Sequence, residues 1–189
     1  MAHAPPILQQ MRKIGHTVFA TGSYNLNIIG VRSPQRAANA FDDELHLVYL
    51  DHRKLWVDLC FRCTTDPGTY WLEHPMKVQG TAILIPGQYR GAYRIGQHKG
   101  YPALVQHRPV KVYRDSTRDE VLDMDPSSTQ KGMYYINIHH AGTDSQKVNK
   151  WSAGCQVLSN LAEWDVFMSV IRRSAQTYGD TFTYTLIDQ

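Results

Sequence analysis

The chain has 189 residues, 42% of them hydrophobic and 20% charged, with only 13 Gly and 9 Pro; that composition is globular and excludes a disordered or collagen-like chain. No apolar run approaches the roughly 18–20 residues of a membrane-spanning helix. Twenty basic and 17 acidic residues leave a formal net charge of +3, and the basic residues form no run beyond pairs such as Arg12-Lys13 and Arg172-Arg173, so neither a nucleic-acid partner nor a membrane partner is expected.

The N-terminus lacks the unbroken apolar stretch of a secretory signal, because Gln9, Gln10, Arg12 and Lys13 interrupt it. The expectation is a chain made in the cytoplasm without an export signal. Residues 5–14 predict a short helix, with Pro5 and Pro6 placed where a missing N–H costs nothing. Strand patterns follow at 24–31, 44–49 and 55–63, the last closed by the turn signal Asp66-Pro67-Gly68. Further strand patterns lie at 82–85, 91–95, 103–106 and 110–114. Their short spacing, with Gly and Pro between them, points to an antiparallel or mixed sheet rather than βαβ repeats.

Residues 115–130 are polar and acidic and read as a surface loop. The stretch 133–139 predicts a strand with Ile136 and Ile138 on one face and Tyr135, Asn137 and His139 on the other. A polar loop, 140–151, precedes the strongest helix pattern, 160–178, where Leu161, Trp164, Phe167, Met168 and Ile171 recur at helical spacing. Ser159 or Asn160 can cap that helix and Gly179 can end it. Residues 181–187 alternate as a terminal strand. The predicted fold class is mostly β with two helices (α+β), in a single domain spanning 1–189.

Three cysteines, an odd number, fit a reduced thiol set better than a disulfide framework. Cys60 and Cys63 lie three apart on a predicted strand and so face opposite ways. No second cysteine pair completes a zinc site with them, and they read as packed or edge thiols. Cys155 has a different setting. A cysteine attacks as its thiolate, and a nearby imidazole can generate that thiolate. His139 ends a predicted strand, and the loop after it returns to Trp151-Ser152-Ala153-Gly154-Cys155-Gln156. Gly154 lets the backbone turn tightly, so that N–H groups near the thiol can point at a developing oxyanion. Ser152 can donate a hydrogen bond or orient the loop. Asn137 shares the predicted face of His139, while Trp151 and Gln156 flank the motif; all three are candidate substrate contacts. Trp151 could equally pack on the following helix. In the Gly- and aromatic-rich stretch 86–101, His98 and Tyr101 are candidates to hold a ligand.

A strand histidine, a loop and then Ser-x-Gly-Cys resembles the catalytic motif of L,D-transpeptidase (YkuD-type) domains. The resemblance covers residues 135–157 closely and 55–189 more loosely, and leaves 1–40 as an N-terminal extension of unknown role. It implies a β-sandwich or barrel with a long C-terminal helix. It also implies a cysteine enzyme of peptidoglycan stem peptides: Cys155 as nucleophile, His139 as base, Ser152 and Gly154 shaping the loop, and no cofactor or metal. Ala153 stands where the family usually has a second histidine, and Gln156-Val157 replace the usual residues after the cysteine; hydrolysis and acyl transfer to an amine both stay open. Without an export signal, the implied setting is a bacteriophage or prophage wall-degrading enzyme. It would be released by lysis or carried with virion or tail proteins, and would act at the bacterial cell wall. Two other readings stay open. One is a zinc amidase or peptidase built on His139 or His140 with Asp144 or another distant histidine. The other is a non-enzymatic structural module of a large assembly.

Overall fold

The computed structural model describes residues 3–189. In chain order the elements are α1 (Pro6–Lys13), β1 (Asn27–Arg32), β2 (Asp43–Leu50), β3 (Trp56–Thr64), α2 (Thr69–Glu73), β4 (Thr81–Leu84), β5 (Gly87–His98) and β6 (Tyr101–Gln106). They continue with β7 (Val110–Asp115), β8 (Gln130–Gly132), β9 (Ile138–His140), β10 (Gln156–Leu158), α3 (Leu161–Tyr178) and β11 (Thr181–Asp188). Eight strands close a barrel in the order β1-β11-β5-β6-β9-β10-β3-β2, and a second sheet runs β4-β7-β8. Two barrel contacts are parallel, β1 with β11 and β9 with β10. The mostly β, α+β class therefore holds, with three α-helices rather than two, since the short α2 lies where no helix pattern is visible.

Alternation sets which face of each strand is buried. On β2, Leu45, Leu47 and Tyr49 enter the main core while Val48 points to the other side. There Val48 meets Leu8 and Met11 of α1, together with Ile29 and Ile187. Of the first 40 residues, 27–32 therefore form a barrel strand and α1 packs on its outer face. On the inner face of β1, a Cβ at Gly30 would fall on the Tyr184 hydroxyl, so the glycine leaves room for that ring inside the barrel. Tyr184 in turn meets Tyr93 edge-on, centroids 5.6 Å apart.

Asn160 caps α3 by accepting the N–H groups of Ala162 (2.9 Å) and Glu163 (3.2 Å), and Gly179 ends it with φ 82°. The buried stripe of α3, including Trp164, Phe167, Met168 and Ile171, joins the main core. Each such side chain contributes roughly 1.5–3 kcal/mol on burial. Phe167 stacks on Trp164 at 5.2 Å and meets Phe61 edge-on at 6.0 Å.

The predicted strand 133–139 forms only in part: the ladder begins at Ile138. Tyr135 has φ 58°, which breaks the extended run. The Gln106 side chain takes the place of a strand partner there. Its Oε1 accepts the N–H groups of Tyr134 and Ile136, both at 3.0 Å, and its Nε2 donates to the carbonyls of Arg108 and Gly132, also at 3.0 Å. The predicted 115–130 loop likewise holds a 3-10 turn at Pro126–Ser128 and gives way to β8.

Candidate functional site

β9 and β10 lie side by side, with Ile138 opposite Gln156 and His139 opposite Val157. Ile138 and Leu158 point into the barrel core, so the intervening His139 points out. Asn137 and Cys155, one residue before each strand, fall on that same outer face by the same alternation. The parallel pairing thus brings the predicted histidine and cysteine to one surface, across a loop that returns to the same sheet.

The Cys155 sulfur is held by backbone of the broken strand: the Asn137 N–H donates to it at 3.4 Å, and it points at the Tyr135 carbonyl at 3.5 Å. Its loop is built by Ser152, which is fully buried. Ser152 Oγ donates to the Cys155 carbonyl at 2.8 Å and accepts the Gly154 N–H at 3.1 Å. Gly154 has φ 115°, and a Cβ there would collide with the Ala82 carbonyl oxygen. Ser152 and Gly154 therefore position the thiol, and Ser152 has no hydroxyl hydrogen left for a ligand.

His139 is 1% exposed. Its Nδ1 lies 2.8 Å from the His140 carbonyl, an acceptor, so Nδ1 carries the proton and Nε2 carries the lone pair. Nε2 is buried without a partner. His98 stacks on the His139 ring at 4.0 Å, and Tyr101 Oη lies 3.2 Å from Nδ1 and donates to the His140 carbonyl. Burial, followed by the neighbouring His98, pulls His139 down to about 3. Burial pushes the Cys155 thiol up to about 11, against smaller opposing effects of the Asn137 N–H and Lys99. At rest both groups are neutral.

The candidate substrate contacts fall into three groups. His98, Tyr101 and Asn137 surround His139, and Asn137 is consumed by the frame: its Oδ1 accepts the Gln106 N–H at 3.0 Å and its Nδ2 lies 3.1 Å from His98 Nδ1. Gln156 does not reach the outer face. It is fully buried, accepting the Tyr184 hydroxyl at 2.8 Å and donating to the Thr65 and Gly154 carbonyls. Trp151 is 41% exposed and lines a shallow pocket with Tyr70 and Lys150, apart from the groove at the cysteine.

That groove, about 370 Å³, is lined by Trp71, Met76, Lys77, Arg114, Met133, Tyr134, Tyr135 and Ala153 among others. Tyr135 and Ala153 place its wall against the Cys155 loop. A larger cavity of about 470 Å³, between Pro86 and Lys131, includes none of the predicted site residues. Sequence reasoning missed Gln106, Tyr135 and Arg114. Arg114 carried a usable signal: it shares strand parity with the buried Val110 and Val112, a cation on an apolar face.

His140 packs against Tyr101 at 4.3 Å and Trp164 at 5.8 Å, and Asp144 pairs with Arg62 at 3.2 Å. Among the described residues the one grouping of three metal-type ligands is Glu44, His46 and Cys60, so the zinc reading on His139, His140 and Asp144 finds no assembled ligand set. No protein-family model, curated protein or solved structure matches this chain.

Proposed function

We propose that this chain is a cysteine acyl-transfer enzyme of peptidoglycan stem peptides, with a divergent L,D-transpeptidase-like catalytic domain. The observation that carries the reading is that adjacent strands place Cys155 and His139 on one face, with His139 opposite Val157 and its Nε2 buried without a partner. In this reading Nε2 accepts the Sγ proton as sulfur attacks the peptide carbonyl. The Gly154 N–H is already given to Ser152, which leaves the Cys155 N–H to stabilise the oxyanion. His139 then returns the proton to the departing amine, and water or a second amine resolves the thioester. Because both groups rest neutral, proton transfer accompanies attack on a bound substrate. The proposed setting is a phage or prophage wall-degrading enzyme, delivered by lysis or with the virion.

The same raised thiol favours a second reading, a non-enzymatic module in which Cys155 is only a packed sulfur. Purified peptidoglycan treated with wild type and with Cys155→Ala, and analysed by mass spectrometry, separates the two. Shortened stem peptides from wild type alone are the expected result. New cross-links from wild type alone would make the enzyme a transferase, and no change in either sample would sink the enzymatic reading.

A further inference from the structure

The groove against the Cys155 loop contains a charge with nothing to neutralise it. Arg114 is 9% exposed, and its Nε is buried without a hydrogen-bond partner. No carboxylate pairs with it among the described residues. Its aromatic contact is Tyr134, whose ring centre lies 5.7 Å from the guanidinium carbon, a weak substitute for an anion. A guanidinium N–H enclosed without an acceptor is costly, and an anion lying in the groove would supply the missing acceptor.

The surroundings say what that ligand is. Lys77 is a second cation on the groove, and no Asp or Glu lines it. The walls are the rings of Trp71, Tyr134 and Tyr135, surfaces that suit the apolar and amide faces of a short peptide. Arg114 lies opposite Ala82 across the β4–β7 ladder, and the Ala82 carbonyl sits directly under Gly154. The guanidinium strand is therefore one residue removed from the nucleophile loop.

We propose that Arg114 is the anion anchor of this groove, binding a free carboxylate of a short peptide and thereby setting which peptide lies across Cys155. The role in substrate choice rests on the acyl-transfer reading; the carboxylate site itself does not. A guanidinium grips a carboxylate through two parallel N–H donors, which an amide cannot match.

The test uses full-length Cys155→Ser, which cannot turn over, and two probes, acetyl-Ala-D-Ala and its C-terminal amide. Binding is followed by NMR at the Arg114 Nε–H and at the Tyr135 and Ala153 amides. The acid should shift the Arg114 signal saturably and bind at least about tenfold tighter than the amide. Arg114→Gln should erase that preference, and Arg114→Lys should keep part of it. Arg114→Gln should also fold with an unchanged or higher Tm, since it removes an unpaired buried charge. Equal binding of acid and amide, binding of neither, or a preference that survives Arg114→Gln would overturn the proposal. Peptidoglycan turnover with an unchanged kcat/KM in Arg114→Gln would remove its role in substrate choice while leaving the Cys155 reading intact. Selective acid binding by a chain whose wild type turns over nothing would do the reverse.

Discussion

The pair of neutral groups at the site makes a statement about acid stability. His139 protonates near 3 in the fold, against an ordinary 6.5, so between those values the unfolded chain binds a proton that the folded chain refuses. Its contribution is complete above about 6.5 and is lost as the pH falls toward 3. Asp66 acts with the opposite sign: burial outweighs the Arg32 guanidinium 2.9 Å away and raises its carboxyl above 3.8, so its contribution is present at low pH and is lost as pH rises. Urea denaturation of wild type and His139→Gln at stepped pH isolates the imidazole as a difference. Wild type should lose stability relative to the variant by on the order of 1 kcal/mol per pH unit between pH 6 and 4; parallel curves would mean that the ring is not held neutral. His139 and Cys155 could be marked as candidates because a strand pattern and a Gly-Cys turn are local signals, although His139 is the middle residue of β9 and not a strand end. Arg114 needed the parity of β7 and a view of what the strand faces. Gln156 misled because it directly follows the cysteine on a strand, where alternation turns it to the opposite, buried face.

Local segments explain how the site keeps its shape. Gly154 sits at φ 115° over the Ala82 carbonyl, so Gly154→Ala meets both backbone strain and a clash with main-chain atoms. The expected cost is at least ~1–3 kcal/mol, read as a lowered Tm, together with a changed alkylation rate at Cys155 as its loop moves. An unaffected Tm would show that the turn relaxes freely. Most strands could be read directly: the 44–49 pattern becomes Asp43–Leu50, because alternation on a half-buried strand is a strong constraint. The stretch 133–139 could not be read in full. Its N–H groups are satisfied by a side chain, Gln106, from a distant strand, and periodicity contains no information about such a partner. α2, a five-residue helix, is too short to display a helical repeat.

Closure of the barrel depends on its first and last strands. β1 and β11 run parallel, from Ile28 opposite Tyr184 to Arg32 opposite Asp188. The Gln189 N–H then donates to the Arg32 carbonyl at 2.9 Å. A chain truncated after Gly179 would leave β1 and β5 with bare edges and would remove Tyr184 from the core. In urea the full chain should unfold in one cooperative step and the truncated chain should not; a truncated chain that unfolds as cooperatively as the full one would show that the barrel does not need its seam. This topology was not legible, since strand patterns locate the longer strands and their faces but not the three-residue β8 and β10, while the neighbour of each strand is decided by packing across the whole chain.

The resting state of Cys155 bears on durability as well as on chemistry. Peroxides and other oxidants attack thiolates far faster than thiols, and a sulfur held neutral up to about 11 offers them very little thiolate. In the mechanism proposed above, a sulfur that ionises only against a bound peptide carbonyl is spared between encounters. The burial that withholds the thiolate at rest would then also slow loss of the proposed nucleophile to oxidation.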